Sequence, residues 1–126
     1  MPTRRSLTEQ EAILSRVDLL PTESDAALLR AVYGHGQSIA ELARIRNERP
    51  GRTGRRVASL TRLLLSREFE FAMRHRSSLV GHRRSVATLC FIQGRSMREA
   101  ARELGISFHA VRRHCEALRA LMEGVS

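Results

Sequence analysis

Ala101-Arg102-Glu103-Leu104-Gly105-Ile106-Ser107-Phe108-His109-Ala110-Val111 has the spacing of two helices joined by a tight turn. Three of its positions are sterically demanding when two helices pack at a steep angle. Ala101 is small enough for close approach of one helix to the next. Gly105, four residues on, suits the left-handed backbone that ends a helix. Val111, six further on, is an apolar β-branched residue inside the second helix, and Leu104 and Ile106 fill the wedge between the two. Ser96 with Glu99 three residues later has the pattern of a capping box and starts the first of these helices at Met97. Ser107 caps the last helix, which runs to about Met122 with Val111, Cys115, Leu118 and Met122 on one side.

Upstream, the same plan recurs. LLRAVYGHGQSIAELARI followed by RRVASLTRLLL parallels VATLCFIQGRSMREAAREL followed by HAVRRHCEALRALM. Gly36, Ser38, Glu41 and Ala43 match Gly94, Ser96, Glu99 and Ala101 at an offset of 58, and Val57 matches Val111 at 54. This alignment implies four extra residues in the first copy's turn. Asn47 stands there where Gly is expected, and Asn tolerates the left-handed conformation.

The remaining chain reads as helix. Thr8 and Glu11 suggest a capping box for a first helix over Glu9–Leu20, with Ile13, Val17 and Leu20 at helical spacing. A second helix spans Thr22–Tyr33, and Ser38 with Glu41 opens a short one carrying Ile39, Leu42, Ala43 and Ile45. Arg46–Gly54 holds Pro50, Gly51 and Gly54 and reads as an irregular turn, with helix resuming over Arg55–Ser66. Phe69, Phe71 and Met73 alternate as in a strand, but no partner strand exists, so residues 67–80 read as a helical linker. A further helix spans Gly81–Gln93. The expected fold is all-α: an N-terminal helix plus tandem helix-turn-helix units, with divisions at 1–66, 67–80 and 81–126.

The net charge is +9, and all 22 basic residues are Arg. Residues 1–43 carry net −2, residues 44–84 net +9 and residues 85–126 net +2. A positive field so concentrated attracts a polyanion, and guanidinium groups bind phosphates and guanine edges through two parallel hydrogen bonds. No long apolar run suggests a membrane span. Met1–Gln10 lacks the apolar core of a signal peptide, so a cytoplasmic location is expected. Cys90 and Cys115 form no CxxC pair and read as buried free thiols. No Asp, Glu, His or Cys grouping suggests a metal or acid–base site, so neither enzyme activity, metal nor cofactor is expected.

GRSMREAARELGISFHAVRRHCEALRALM resembles the helix-turn-helix of sigma-factor region 4 and its relatives, the LuxR-type response-regulator domains. Leu20-Pro21 with LLRAVYGHGQSIAELA resembles the opening of a region 4 domain. The resemblance covers about Leu20–Leu64 weakly and Ser85–Met122 well, and no other sigma region is present. It implies a recognition helix in the major groove, with Ser107, Phe108, His109, Arg112 and Arg113 near base edges. It also implies backbone contacts from Arg95, Ser96 and Arg98, at a helix N-terminus that favours anions. The Arg-rich segment of Arg46, Arg49, Arg52, Thr53, Arg55 and Arg56 is suited to the phosphate backbone or a minor groove. Phe108 either packs on a thymine methyl or belongs to the core. The expected function is sequence-specific binding of double-stranded DNA by a transcription regulator. The alternative the resemblance implies is a stand-alone adaptor or competitor that binds RNA polymerase. A homodimer through the first helix is open, and two units in one chain would serve in place of a dimer.

Overall fold

The computed structural model describes residues 6–125, which contain eight α-helices and no strand. The chain forms two compact units, divided between Leu65 and Ser66. The first comprises α1 (Leu7–Arg16), α2 (Glu23–Leu29), α3 (Ile39–Ile45) and α4 (Pro50–Leu64). The second comprises α5 (Arg67–His75), α6 (Gly81–Val86), α7 (Met97–Leu104) and α8 (Phe108–Val125).

In the first unit, α1 starts two residues earlier than expected. Its capping box is Ser6 with Glu9: the Glu9 amide donates to Ser6 Oγ at 3.2 Å and Glu9 Oε1 accepts from the Ser6 amide at 3.3 Å. Ser6–Glu9 and Thr8–Glu11 both have the box spacing; α1 ends at Arg16, before the expected Leu20, and a 3₁₀ turn over Val17–Leu19 follows, with Ile13 and Val17 both buried. The Arg16 guanidinium donates to the Leu64 carbonyl at 2.6 Å and so satisfies an acceptor at the end of α4. Thr22 caps α2. α3 opens with the expected Ser38–Glu41 box. Ile45, the last residue of α3, is 72% exposed.

The turn after α3 is short, and α4 begins at Pro50, five residues before the expected start. Pro at the first helical position needs no amide partner. Gly51 and Gly54 cost about 1 kcal/mol each relative to Ala, offset by a buried stripe of Thr53, Val57, Leu60, Thr61 and Leu64. At Gly54 a Cβ would lie 3.6 Å from Ile39 Cγ2, so α3 and α4 cross closely there.

The second unit repeats the first. Residues 67–80, expected as a linker, form α5 and one 3₁₀ turn. Phe69, Phe71, Ala72 and Leu79 are buried, and α5 packs on α8 and on the helical turns after α6. The apparent alternation of Phe69, Phe71 and Met73 is helical instead: Phe69 and Ala72 face the core at three-residue spacing, whereas Met73 is exposed.

From α2 onward one offset of 58 relates the two units throughout. α2 and α6 each widen into π turns, closed by His35 N to Arg30 O (3.1 Å) and Gln93 N to Thr88 O (3.0 Å). Gly36 and Gly94 follow with φ of 66° and 71°. The next left-handed residues are Asn47 (φ 56°) and Gly105 (φ 67°), as the sequence led one to expect. Glu48 N to Ala43 O (2.8 Å) and Ile106 N to Ala101 O (3.2 Å) close the two turns. The first turn therefore has no four-residue insertion, and the structural equivalent of Val111 is Thr53, not Val57. Both are fully buried. Thr and Val are nearly isosteric, and the Thr53 hydroxyl donates to Glu48 Oε2 at 3.1 Å. At the position of Glu48 the second unit has Ile106, so a polar pair in one unit replaces an apolar pair in the other.

Two further pairs change together. Asp25 is buried, and Arg56 donates to both its carboxylate oxygens, at 3.1 and 2.5 Å. The equivalent pair is Arg83 and His114, with Arg83 Nε 3.4 Å from His114 Nδ1. Tyr33 and Thr61 share a hydrogen bond of 3.0 Å. At their equivalents the Arg119 guanidinium lies 5.4 Å from the centre of the Phe91 ring.

Candidate nucleic-acid interface

α7, its turn and α8 place one set of side chains outward. Ser96 and Glu99 form the expected capping box, with Glu99 N to Ser96 Oγ at 3.1 Å. Ser107 Oγ accepts from the Ala110 amide at 3.0 Å and starts α8. Ala100, Ala101, Val111, Cys115, Leu118 and Met122 are buried and fix the rotation of both helices. Leu104 and Ile106 are half-buried in the wedge.

With that face inward, Phe108, His109, Arg112 and Arg113 are exposed along the first turns of α8. Phe108 is 42% exposed, and the Arg98 guanidinium lies 5.8 Å from its ring centre. Phe108 is thus not a core residue, and the cation over its ring links the outer faces of α7 and α8. Arg112 lies 3.5 Å from Glu116 one turn on, both exposed, an interaction weak enough to exchange for another anion. Arg113 has no ion-pair partner among the described residues. Of the expected backbone contacts, Arg98 remains presented to solvent. Arg95 bonds to Glu103 (2.9 Å) and Gln93 (3.1 Å), and the Ser96 hydroxyl is engaged as a cap.

The Arg-rich segment of the first unit divides in two. Arg46, Arg52, Arg55 and Arg56 line one shallow groove with Glu48 and Ser59. Arg46 is half-buried and bound to Glu48 (3.2 Å) and Ser24 (3.2 Å). Arg56 is held by Asp25, whose carboxylate raises the guanidinium pKa through their hydrogen bonds. Thr53 is buried under Glu48 and is not available to a phosphate, because its methyl is core material. Arg49, Arg52 and Arg55 are exposed with no ion-pair partner among the described residues. Asp25, the partner of Arg56, lies 31 residues away and Ser24, one of the two partners of Arg46, lies 22 away, so no local pattern signals those contacts.

In the second unit, His114 is half-buried on α8. Burial lowers its pKa below the ordinary 6.5, and Arg83, His82 and Arg113 lower it further. The His82 and His114 rings are edge-on at 6.4 Å. Since the folded form resists protonation, this group adds stability above the unfolded pKa and loses it as pH falls below 6.5 toward the depressed value. Urea midpoints of the chain are expected to fall between pH 7.5 and pH 5, and His114→Gln to reduce that fall. An undiminished fall in the variant would assign it to other groups.

Cys90 and Cys115 are free thiols; Cys115 is buried and Cys90 half-buried. Their mutual hydrogen bond, aided by burial, raises Cys90, and the same bond lowers Cys115 to about 7. Among the described residues no group of His, Cys, Asp and Glu is arranged to hold a metal, and no helix is long and apolar enough to cross a membrane. No protein-family model, curated protein or solved structure matches the chain.

Proposed function

We propose that the chain is a sequence-specific regulator of transcription that binds double-stranded DNA through α8. The observation that carries this reading is the outer face of α8. His109, Arg112 and Arg113 project from its first two turns beside Phe108, opposite a face fixed by Val111, Cys115 and Leu118. A helix enters the major groove by its N-terminal end in this arrangement. Arginine reads guanine through two acceptors of its major-groove edge, and an aromatic ring packs against a thymine methyl. Arg98 at the start of α7, with Arg49 and Arg52 in the first unit, supplies the phosphate contacts, and the net charge of +9 draws the duplex in.

Fluorescence anisotropy with labelled duplexes tests the reading. Neutralising about six phosphates gives a slope near −5 in log affinity against log salt. We expect that slope, together with a preferred sequence that unlabelled random duplex competes for poorly. A flat salt response would remove the proposal.

A further inference from the structure

We propose that α4 of the first unit is a second groove-reading helix, with Arg55 in the role of Arg113, so that one chain recognises a two-part DNA site. This rests on the duplex-DNA reading of α8 and extends it to a helix that the sequence alone casts as an irregular phosphate-gripping loop.

α4 and α8 share one rotation about their axes. Thr53, Val57, Leu60 and Leu64 are buried on α4; Val111, Cys115, Leu118 and Met122 are buried on α8. Each pair is separated by the same 58 residues. Two helices that bury equivalent positions expose equivalent positions. Arg49, Pro50, Gly51, Gly54 and Arg55 therefore occupy the places of Ser107, Phe108, His109, Arg112 and Arg113. The left-handed residues before the two helices, Asn47 and Gly105, obey the same offset.

The side chains at those places differ in an informative way. Gly51 adds no bulk to the outward face, and Gly54, half-buried beside Ile39, adds none at its edge. Their backbone, and the arginines beside it, approach a groove floor more closely than α8 does with His109 and Arg112 in the way. Arg55 is then the guanidinium at the place of Arg113, while Arg49 stands at that of the cap Ser107 and Arg52 at that of Ala110. All three are exposed and have no ion-pair partner among the described residues. Arg56, next in sequence, is held by Asp25 and is excluded from the role. A phosphate grip needs only charge. A base reader needs the planar fork of arginine at a fixed phase, and Arg55 has that phase.

Selection of duplexes from a random library with the full chain is the test, repeated with Arg55→Ala, Arg55→Lys and Arg113→Ala. The unaltered chain is expected to select two separate sequence blocks. Arg113→Ala should erase preference in one and Arg55→Ala in the other, by about five- to a hundredfold in discrimination, the range for one arginine–guanine pair. Arg55→Lys should also erase it while keeping most of the affinity, since charge survives and the fork does not. A single selected block that is unchanged by Arg55→Ala, with affinity lost evenly and restored by Arg55→Lys, would overturn the proposal in favour of a grip. Failure of the unaltered chain to retain any duplex would instead overturn the reading of α8 on which it stands. The arginines are exposed, so the variants should keep their circular dichroism, which is checked alongside.

Discussion

Val111→Asp is expected to unfold the second unit. Val111 is fully buried on α8, which packs on α7, where Ala100 and Ala101 are buried as well. The other buried residues of these two helices among the described residues, Ala100, Ala101, Cys115, Leu118 and Met122, offer a carboxylate no cation. A buried carboxyl with no partner, which takes up a proton rather than stay charged, together with the lost packing of Val111 costs about 4 kcal/mol. A unit of this size has only about 3 to 9 kcal/mol to lose. The measurement is urea unfolding followed by circular dichroism, with amide resonances reporting on residues 66–125. We expect those resonances to collapse to unfolded positions at neutral pH. Val111→Thr is the instructive contrast, at about 1 kcal/mol. Its hydroxyl can bond the carbonyl one turn back, as Thr53 approaches that of Arg49 at 3.5 Å. It finds no counterpart of Glu48, because Ile106 stands there. A Val111→Asp chain with an unshifted midpoint would show that this packing does not hold the unit together.

The second large effect falls on Phe69. In a linker, truncation of an aromatic side chain costs less than about 0.5 kcal/mol. Phe69 is instead the largest fully buried side chain in the described residues, on a helix that packs against α8. Phe69→Ala should therefore cost about 3 to 5 kcal/mol. Met73→Ala, four residues on and exposed, should be nearly neutral. Equal effects of the two substitutions would return residues 67–80 to the status of a connector.

These two sites also mark where the sequence was legible and where it was not. The short helices α3 and α7 could be read because a Ser and a Glu three residues apart satisfy each other's backbone partners locally. The left-handed turns at Asn47 and Gly105 could be read because few residue types take that conformation. The start of α4 could not, because Pro50, Gly51 and Gly54 each suggest a break, and only the burial of Thr53 and Val57 against other helices overrides that preference. Matching Val57 to Val111 failed for a related reason: chemical identity outweighed shape, when the buried equivalent of a valine was its hydroxylated isostere. For the candidate site, exposure of His109, Arg112 and Arg113 followed from the helical period alone. The withdrawal of Arg46, Arg56 and Thr53 from the surface did not, since Asp25, Ser24 and Glu48 reach them only after the chain has folded.

The pairs that change together between the two units bear on how the chain avoids assembling wrongly. Two units with the same helix order and the same buried phase invite exchange: α4 of one could dock where α8 belongs, within a chain or between chains. The matched differences penalise that. With α4 in the second unit, Arg56 would meet Arg83 instead of Asp25, and the Thr53 hydroxyl would face Ile106 with no carboxylate to accept its proton. With α8 in the first, Val111 would leave Glu48 without its hydroxyl partner, and Arg119 would replace a buried threonine beneath Tyr33. Each mismatch costs on the order of 1 kcal/mol or more. Together they give each helix a strong preference for its own cradle, in a chain whose repetition would otherwise make the two cradles interchangeable.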